Sequence, residues 1–279
     1  MNTNEIIKIG EDVYQIRYYW LSQADVYMYL IIGKDRALLI DTGYVTTHAK
    51  QFAESVTSLP LIAVNTHGHF DHIGGNSQFE TVFISGTDRQ LALNNSKHTY
   101  LSGKMEHAMA VKPEIRDLLS DPSIKKDYEI FLSSAYLDNY SDLPEEGFFD
   151  LGGRRVSFFP CPGHTRGSIS LFDPVTGYLF CGDTVCEEKV LLGFDESTSV
   201  QVFLQTLYDM QAKCSAWNVK SLYPGHHKTP VDSSIISDYI HLCEEGLNGR
   251  LKSDYVDTGT CQGQCFSDFG VKIIFKTLK

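Results

Sequence analysis

The chain has no long apolar run. No stretch approaches the roughly 18–20 apolar residues that a membrane helix needs, so no membrane partner is expected. The first residues, Met1 to Ile7, hold no apolar core of the kind a secretory signal carries. Basic residues are in deficit. Lys and Arg number 24 against 35 Asp and Glu, for a formal net charge of -11 and a pI near 5.3. Binding to nucleic acid depends on neutralising phosphates, so this balance argues against such a partner. There is no Gly-x-Ser-x-Gly turn and no convincing cysteine nucleophile, so covalent catalysis is not expected. The seven cysteines are an odd number without a regular framework. Without an export signal they read as reduced thiols in a cytoplasmic protein. Cys261 and Cys265 have no partner ligands nearby in sequence and read as ordinary thiols. Cys161, Cys181 and Cys186 read as buried structural thiols.

What the chain does have is concentrated. Thr66-His67-Gly68-His69-Phe70-Asp71-His72-Ile73-Gly74-Gly75 places three imidazoles and one carboxylate within six positions. Downstream, three glycine-containing turns each carry one more ligand-type side chain: His164 in Pro162-Gly163-His164, Asp183 in Gly182-Asp183-Thr184, and His226 in Pro224-Gly225-His226. Seven such groups suffice for two ions that share a carboxylate. Imidazole with carboxylate suits zinc, iron or manganese, and open positions leave room for water and substrate. In an extended loop alternate side chains share a side, which lets His67 and His69 bind one ion. Asp71 and His72 follow after a turn and can face a second. Gly68, Gly74 and Gly75 are expected to bring the backbone close to the metals and to supply positive φ. His227 directly follows His226 and is expected to point the other way. His48, His98, His107 and His241 lie outside these turns and read as ordinary surface or packing residues.

Periodicity sets the ligands at the ends of strands. Val13 to Tyr18 alternates like a strand, and Val26 to Ile32 and Ala37 to Ile40 read as two more. Val45 to Leu59 fits a helix ending before Pro60. Leu61 to Asn65 is a short buried strand that leads into the histidine-rich loop. Thr81 to Ser85 is expected as a strand and Asp88 to Asn94 as a helix. In the second half, Arg155 to Phe159, Ser168 to Phe172, Tyr178 to Cys181 and Ser221 to Tyr223 read as strands, and Gln201 to Ala212 as a helix. No close internal repeat is present. The segment from about Asn94 to Asp150 breaks this grammar. It holds six basic against eleven acidic residues and scattered Met and aromatic anchors. It reads as a mainly helical insertion, either a lid over the substrate or a packing or dimer surface. At 279 residues and 42% hydrophobic, the chain is expected to form one catalytic domain over residues 1–279.

The order His-x-His-x-Asp-His, then His, then Asp, then His resembles the metallo-β-lactamase-fold superfamily of metallo-hydrolases, from roughly Asp41 to His226. The resemblance implies an α+β fold, a four-layer αβ/βα sandwich. It implies two divalent ions, zinc first with iron or manganese also suited. His67, His69 and His164 would hold one ion, and Asp71, His72 and His226 the other, with Asp183 bridging. Asp41-Thr42-Gly43 is similar to the family's support aspartate turn, so Asp41 is expected to orient a ligand histidine. Asp183 stands where the best-known zinc β-lactamases have Cys, and His69 where the flavodiiron oxygen reductases have Glu. Asp183 as a bridge is more similar to the glyoxalase II, lactonase and RNase Z branches. The glyoxalase II-like branch is the nearest expectation, although few clustered basic residues follow His226. Thr184 to Glu187 lacks the Tyr that acyl-homoserine lactonases often place there.

The chemistry implied is hydrolysis of a small thioester, ester or lactone by a hydroxide held between two ions. Asp71 and Asp183 are the catalytic carboxylates, and Asp71 can also relay a proton. A small molecule is therefore the expected partner. The alternatives are a mononuclear iron persulfide dioxygenase with the same motif, or a β-lactam or phosphodiester hydrolase of the same fold.

Overall fold

A computed structural model describes residues 5–17, 26–44, 48–111 and 113–279. The chain forms two compact units, Met1–Leu143 with Leu151–Gly153, and Pro144–Asp150 with Arg154–Lys279.

The first unit is built on a seven-stranded sheet in chain order. Its strands are β1 (Glu5–Gly10), β2 (Val13–Arg17), β3 (Tyr27–Ile32), β4 (Ala37–Ile40), β5 (Leu61–Val64), β6 (Val82–Ser85) and β7 (Tyr140–Leu143). The first four run antiparallel, and β4 to β7 run parallel. All four residues of β4 are buried. An uninterrupted Val/Ile/Leu-type run is what a parallel strand covered on both faces requires. Helices α1 (Ala49–Val56) and α2 (Gly86–Asn95) follow β4 and β6. Their buried Ala49, Ala53 and Ala92 join the core formed by Ile16, Met28, Leu30, Leu39, Val82 and Ile84. The expected helix from Val45 is observed from Ala49 and ends at Thr57 in extended backbone. Positions 45–47 lie outside the described residues, as does Tyr18 of the expected first strand.

The insertion is mainly helical, as expected: α3 (His98–Val111), α4 (Pro113–Leu118) and α5 (Pro122–Ser134). Asp121 caps α5 by accepting from the Ser123 and Ile124 amides, with Pro122 in the first turn. The end of the segment is extended instead. It supplies β7 at one edge of the first sheet and β8 (Gly147–Asp150) at one edge of the next. The polar, proline-punctuated sequence there gave no alternation from which to expect these two strands.

In the second unit, β8, β9 (Arg155–Pro160), β10 (Ile169–Asp173), β11 (Tyr178–Gly182) and β13 (Ser221–Pro224) form a five-stranded sheet in the order β13-β11-β10-β9-β8. A four-stranded sheet contains β12 (Lys189–Leu192), β14 (Asp254–Asp257), β15 (Gln262–Asp268) and β16 (Val271–Phe275). Helices α6 (Val200–Ala216) and α7 (Ile235–Leu247) complete it. One core joins Phe159 and Leu179 to Phe203, Met210, Tyr239, Phe266 and Ile273. The residues after His226 thus form one helix and three strands. The β15–β16 hairpin turns through Phe269 and Gly270, both at positive φ (54 and 77), the backbone of a two-residue primed turn. All seven cysteines are buried and unbridged. Burial pushes the Cys161 thiol up to about 12, as expected of structural thiols.

Candidate metal centre

In the first unit, the loop after β5 gathers three imidazoles. The His67 ring centroid lies 4.8 Å from that of His69 and 4.1 Å from that of His72. Ligand atoms of His67 and His69, of His67 and His72, and of Asp71 and His72 fall within 4.8 Å of each other. The His72 amide donates to the His69 carbonyl at 3.0 Å, closing the turn expected between the two ligand pairs. All three histidines are buried, whereas Asp71 is partly exposed.

Asp41, at the end of β4, organises this loop. One carboxylate oxygen accepts from the Thr66 amide at 2.8 Å. The other lies 2.8 Å from His72 Nδ1 and 2.9 Å from Thr66 Oγ1. A carboxylate accepts here, so the His72 proton sits on Nδ1 and leaves Nε2 as a donor for a metal. The Thr66 hydroxyl in turn lies 3.1 Å from His67 Nδ1. The His72 carbonyl accepts from Asn65 Nδ2 at 3.0 Å and Thr42 Oγ1 at 3.2 Å, and Asn76 joins both through bonds of 2.8 and 2.7 Å. Sequence reading had Asp41 but not Thr66, Thr42, Asn65 or Asn76. Asn65 alone carries a signal, as a polar residue closing a strand read as buried.

The loop glycines act differently from expectation. Gly68 and Gly75 are not among the positive-φ positions. A Cβ on Gly68 would come within 2.8 Å of Asp88 O and Ala92 N in α2, and one on Gly75 within 2.6 Å of the Ala49 Cβ in α1. They are needed for close approach to helices, not for a left-handed turn. Asp88 accepts from the Gly68 amide at 2.9 Å, and Asn95 donates to the Gly68 carbonyl at 3.0 Å.

Beside the loop, Tyr44 meets Phe70 edge-on with centroids 5.3 Å apart. Burial, then the charge of Asp71, then Tyr128 hold its phenol well above the usual value. It therefore stays a neutral hydrogen-bond donor.

In the second unit, the three remaining candidates come together. Asp183 follows β11, His226 follows β13, and His164 lies between β9 and β10. One oxygen of Asp183 lies 3.5 Å from His164 Nε2 and 3.4 Å from His226 Nε2. His164 Nδ1 donates to the Leu191 carbonyl at 2.7 Å, which again leaves Nε2 for a metal. Ser197 donates to the His164 carbonyl at 2.7 Å. The contributions of Leu191 and Ser197 gave no sequence signal, because one acts through its backbone and the other lies far along the chain. His227 takes a left-handed backbone (φ 63), and burial, then His226, lowers its pKa. Its ring centroid is 6.1 Å from that of His226.

The donor sets of both units fit divalent transition metals. They combine imidazole Nε2 atoms with carboxylate oxygens, and His72 and His164 each have Nδ1 already engaged.

The family model of the metallo-beta-lactamase superfamily matches residues 22–87 and 100–238. The chain belongs to this superfamily. It is similar to the acyl-coenzyme A thioesterase MBLAC2 of Gallus gallus, 28% identical over 215 residues, or 71% of each chain. It is also similar to the mitochondrial hydroxyacylglutathione hydrolase of Saccharomyces cerevisiae, 27% identical over 239 residues, covering 81% of this chain and 70% of that one. Among solved structures, a metallo-beta-lactamase from Pontibacter korlensis superposes with a TM-score of 0.62 at 19% identity, covering 86% of this chain and 98% of the other. This superfamily member has the metallo-β-lactamase fold and is a metal-dependent hydrolase. Divalent ions are implied by the superfamily and by the candidate His and Asp groups. Among the described residues, no helix is long and apolar enough to cross a membrane.

Proposed function

We propose that the chain hydrolyses a small thioester, with esters and lactones as neighbouring substrates, using two divalent ions. His67, His69 and His164 would hold one ion and Asp71, His72 and His226 the other, with Asp183 shared between them. Zinc is the first choice of metal, and both units act as one catalytic domain. The observation that carries the binuclear reading is Asp183. A single carboxylate oxygen lies between the Nε2 atoms of two histidines assigned to different ions, at 3.5 and 3.4 Å. The thioester preference rests on the names of the two relatives, one an acyl-coenzyme A thioesterase and the other a hydrolase of acyl groups carried on glutathione.

When bound, the ions supply a water of lowered pKa and polarise the substrate carbonyl. The protein's part is positional. Asp41 and the Leu191 carbonyl fix the tautomers of His72 and His164. The partly exposed Asp71 can accept a proton from the attacking water and pass it to the leaving thiol. Tyr44, neutral and beside Asp71, can donate to the carbonyl oxygen as charge develops there. The helices of the insertion serve as a lid that keeps water from the acyl group.

Metal-reconstituted protein should hold two ions per chain and cleave acyl thioesters, and chelation should abolish turnover. A saturating content of one iron, with oxygen uptake, would overturn this reading in favour of a dioxygenase.

A further inference from the structure

The insertion sets a cation against the metal loop. Phe70 occupies the corner between the candidate ligands His69 and Asp71, in the turn closed by the His72 amide on the His69 carbonyl. Its ring lies edge-on to Tyr44 and, 6.1 Å between centroids, to Tyr100 of α3. Lys104 lies one helical turn beyond Tyr100. Its Nζ is 5.5 Å from the Phe70 centroid and 5.3 Å from the Tyr100 centroid. Two aromatic rings attract and position an ammonium at this range, but they do not neutralise it.

Lys104 has no neutralising partner of its own. Among the described residues no carboxylate lies within hydrogen-bonding or ion-pair distance of its Nζ, which rests against the two rings. Lys125 pairs with Glu129, Lys213 with Glu146, Lys228 with Glu187 and Lys276 with Asp195. Lys34, Lys126, Lys220, Lys252 and Lys272 have no such pair among the described residues but are exposed to water, whereas Lys104, like Lys189, is partly buried. The insertion carries eleven acidic residues against six basic ones. A partly buried cation without a carboxylate partner, held against the ring that stands in sequence between His69 and Asp71, is suited to an anion from outside the protein.

We infer that Lys104 binds an anionic group on the thiol half of the substrate, holding it over Phe70 beside His69 and Asp71. This rests on the thioester reading and narrows it to thioesters of an anionic thiol. The anion can be a phosphate, as in coenzyme A, or a carboxylate, as in glutathione. Placed there, it would orient the thioester without touching the reacting carbonyl. Lys104 is thus a specificity-determining residue, not a catalytic one.

The test measures binding of the free thiols, so it does not depend on turnover. Coenzyme A, glutathione and uncharged N-acetylcysteamine are titrated into the metal-reconstituted full chain, and into its Lys104→Gln, Lys104→Arg and Lys125→Gln variants. At least one anionic thiol should bind. Its Kd should rise about tenfold in Lys104→Gln, the scale of one charge-assisted hydrogen bond. Lys104→Arg should stay near the parent, Lys125→Gln should match it, and N-acetylcysteamine should not change. A response to coenzyme A alone assigns phosphate, and one to glutathione alone assigns carboxylate. The inference is overturned if neither anionic thiol binds, if Lys104→Gln leaves both unchanged, or if Lys125→Gln or the neutral thiol loses as much. Lys104-dependent binding with no cleavage of any thioester would remove the hydrolase reading and leave the anion site standing.

Discussion

The two sets of candidate ligands are held in different ways. In the first unit four of them lie within six residues, and a buried side-chain network supports them: Asp41, Thr42, Asn65 and Thr66 from strand ends, Asn76 from the 3-10 turn after the loop, Asp88 and Asn95 from α2. In the second unit the three ligands are scattered over sixty-three positions, from His164 to His226. There the sheet does the placing, and the visible support for His164 is largely backbone, through the Leu191 carbonyl. A dense motif on a loop needs polar side chains to hold it, because a loop has no ladder of its own. Single ligands at strand ends inherit their positions from the ladder. The first half should therefore be sensitive to outer-partner mutations, and the second mainly to loss of the ligands themselves.

The largest effect is expected at Asp183→Asn. Asn keeps the shape and removes the charge between His164 and His226. Turnover should fall by roughly 1,000-fold, beyond the roughly 10–100-fold typical of an outer partner. Metal content should fall below two ions, while the circular dichroism spectrum stays that of the parent. Normal turnover with full metal content would mean that Asp183 does not bridge.

Stability without metal loss is expected at Arg154, whose guanidinium grips the buried Asp173 at 2.9 and 2.6 Å. Desolvation pushes the Asp173 carboxyl up, but hydrogen bonds from Arg154 and Thr176, with the Arg154 charge, leave it below its usual 3.8. The sign follows: a lowered carboxyl pKa contributes stability above 3.8, and this is lost as pH falls through the folded value. Removing one partner of a buried pair costs about 3–5 kcal/mol. Arg154→Ala should lose that much in denaturant unfolding at pH 7, with a smaller deficit in acid and no change in metal affinity.

Asp41→Asn should weaken metal binding about 10–100-fold. Asn tolerates the left-handed backbone of residue 41 (φ 59), so strain does not confuse the result. Its amide cannot accept from both Thr66 and His72, which frees the His72 tautomer. Ser197→Ala in the second unit removes one hydrogen bond to the His164 carbonyl. It should cost about 1 kcal/mol or less in stability, with metal affinity within a few-fold of the parent. Equal losses of metal affinity in the two variants would erase the contrast between the halves.

The same contrast explains what the sequence made legible. The loop announces itself because its ligands are consecutive and follow a continuous apolar strand, Leu61 to Val64. The downstream turns were readable because each couples a glycine to one ligand at the end of an apolar run. Residues that hold ligands from a distance, such as Leu191 and Ser197, have no spacing that betrays them. The strands β1, β7, β8, β12 and β14 are short or polar, and their pairing is decided by the sheet rather than by local pattern. Helix α7 and the β15–β16 hairpin do carry a sequence signal. Ile235, Ile236, Tyr239, Ile240, Leu242 and Cys243 form a buried helical face, and Phe269-Gly270 marks a turn.

The grip of α2 on the metal loop has a consequence for how such an enzyme can change. Asp88 and Asn95 clasp Gly68 from both sides, and Asn95 ends α2 just before α3 begins at His98. The anchor is complete before α3 starts. Under the proposed lid role, residues 98–134 can be lengthened, shortened or exchanged while Asp88 and Asn95 keep their hold on Gly68, and substrate choice would then drift independently of the ligands that precede the insertion.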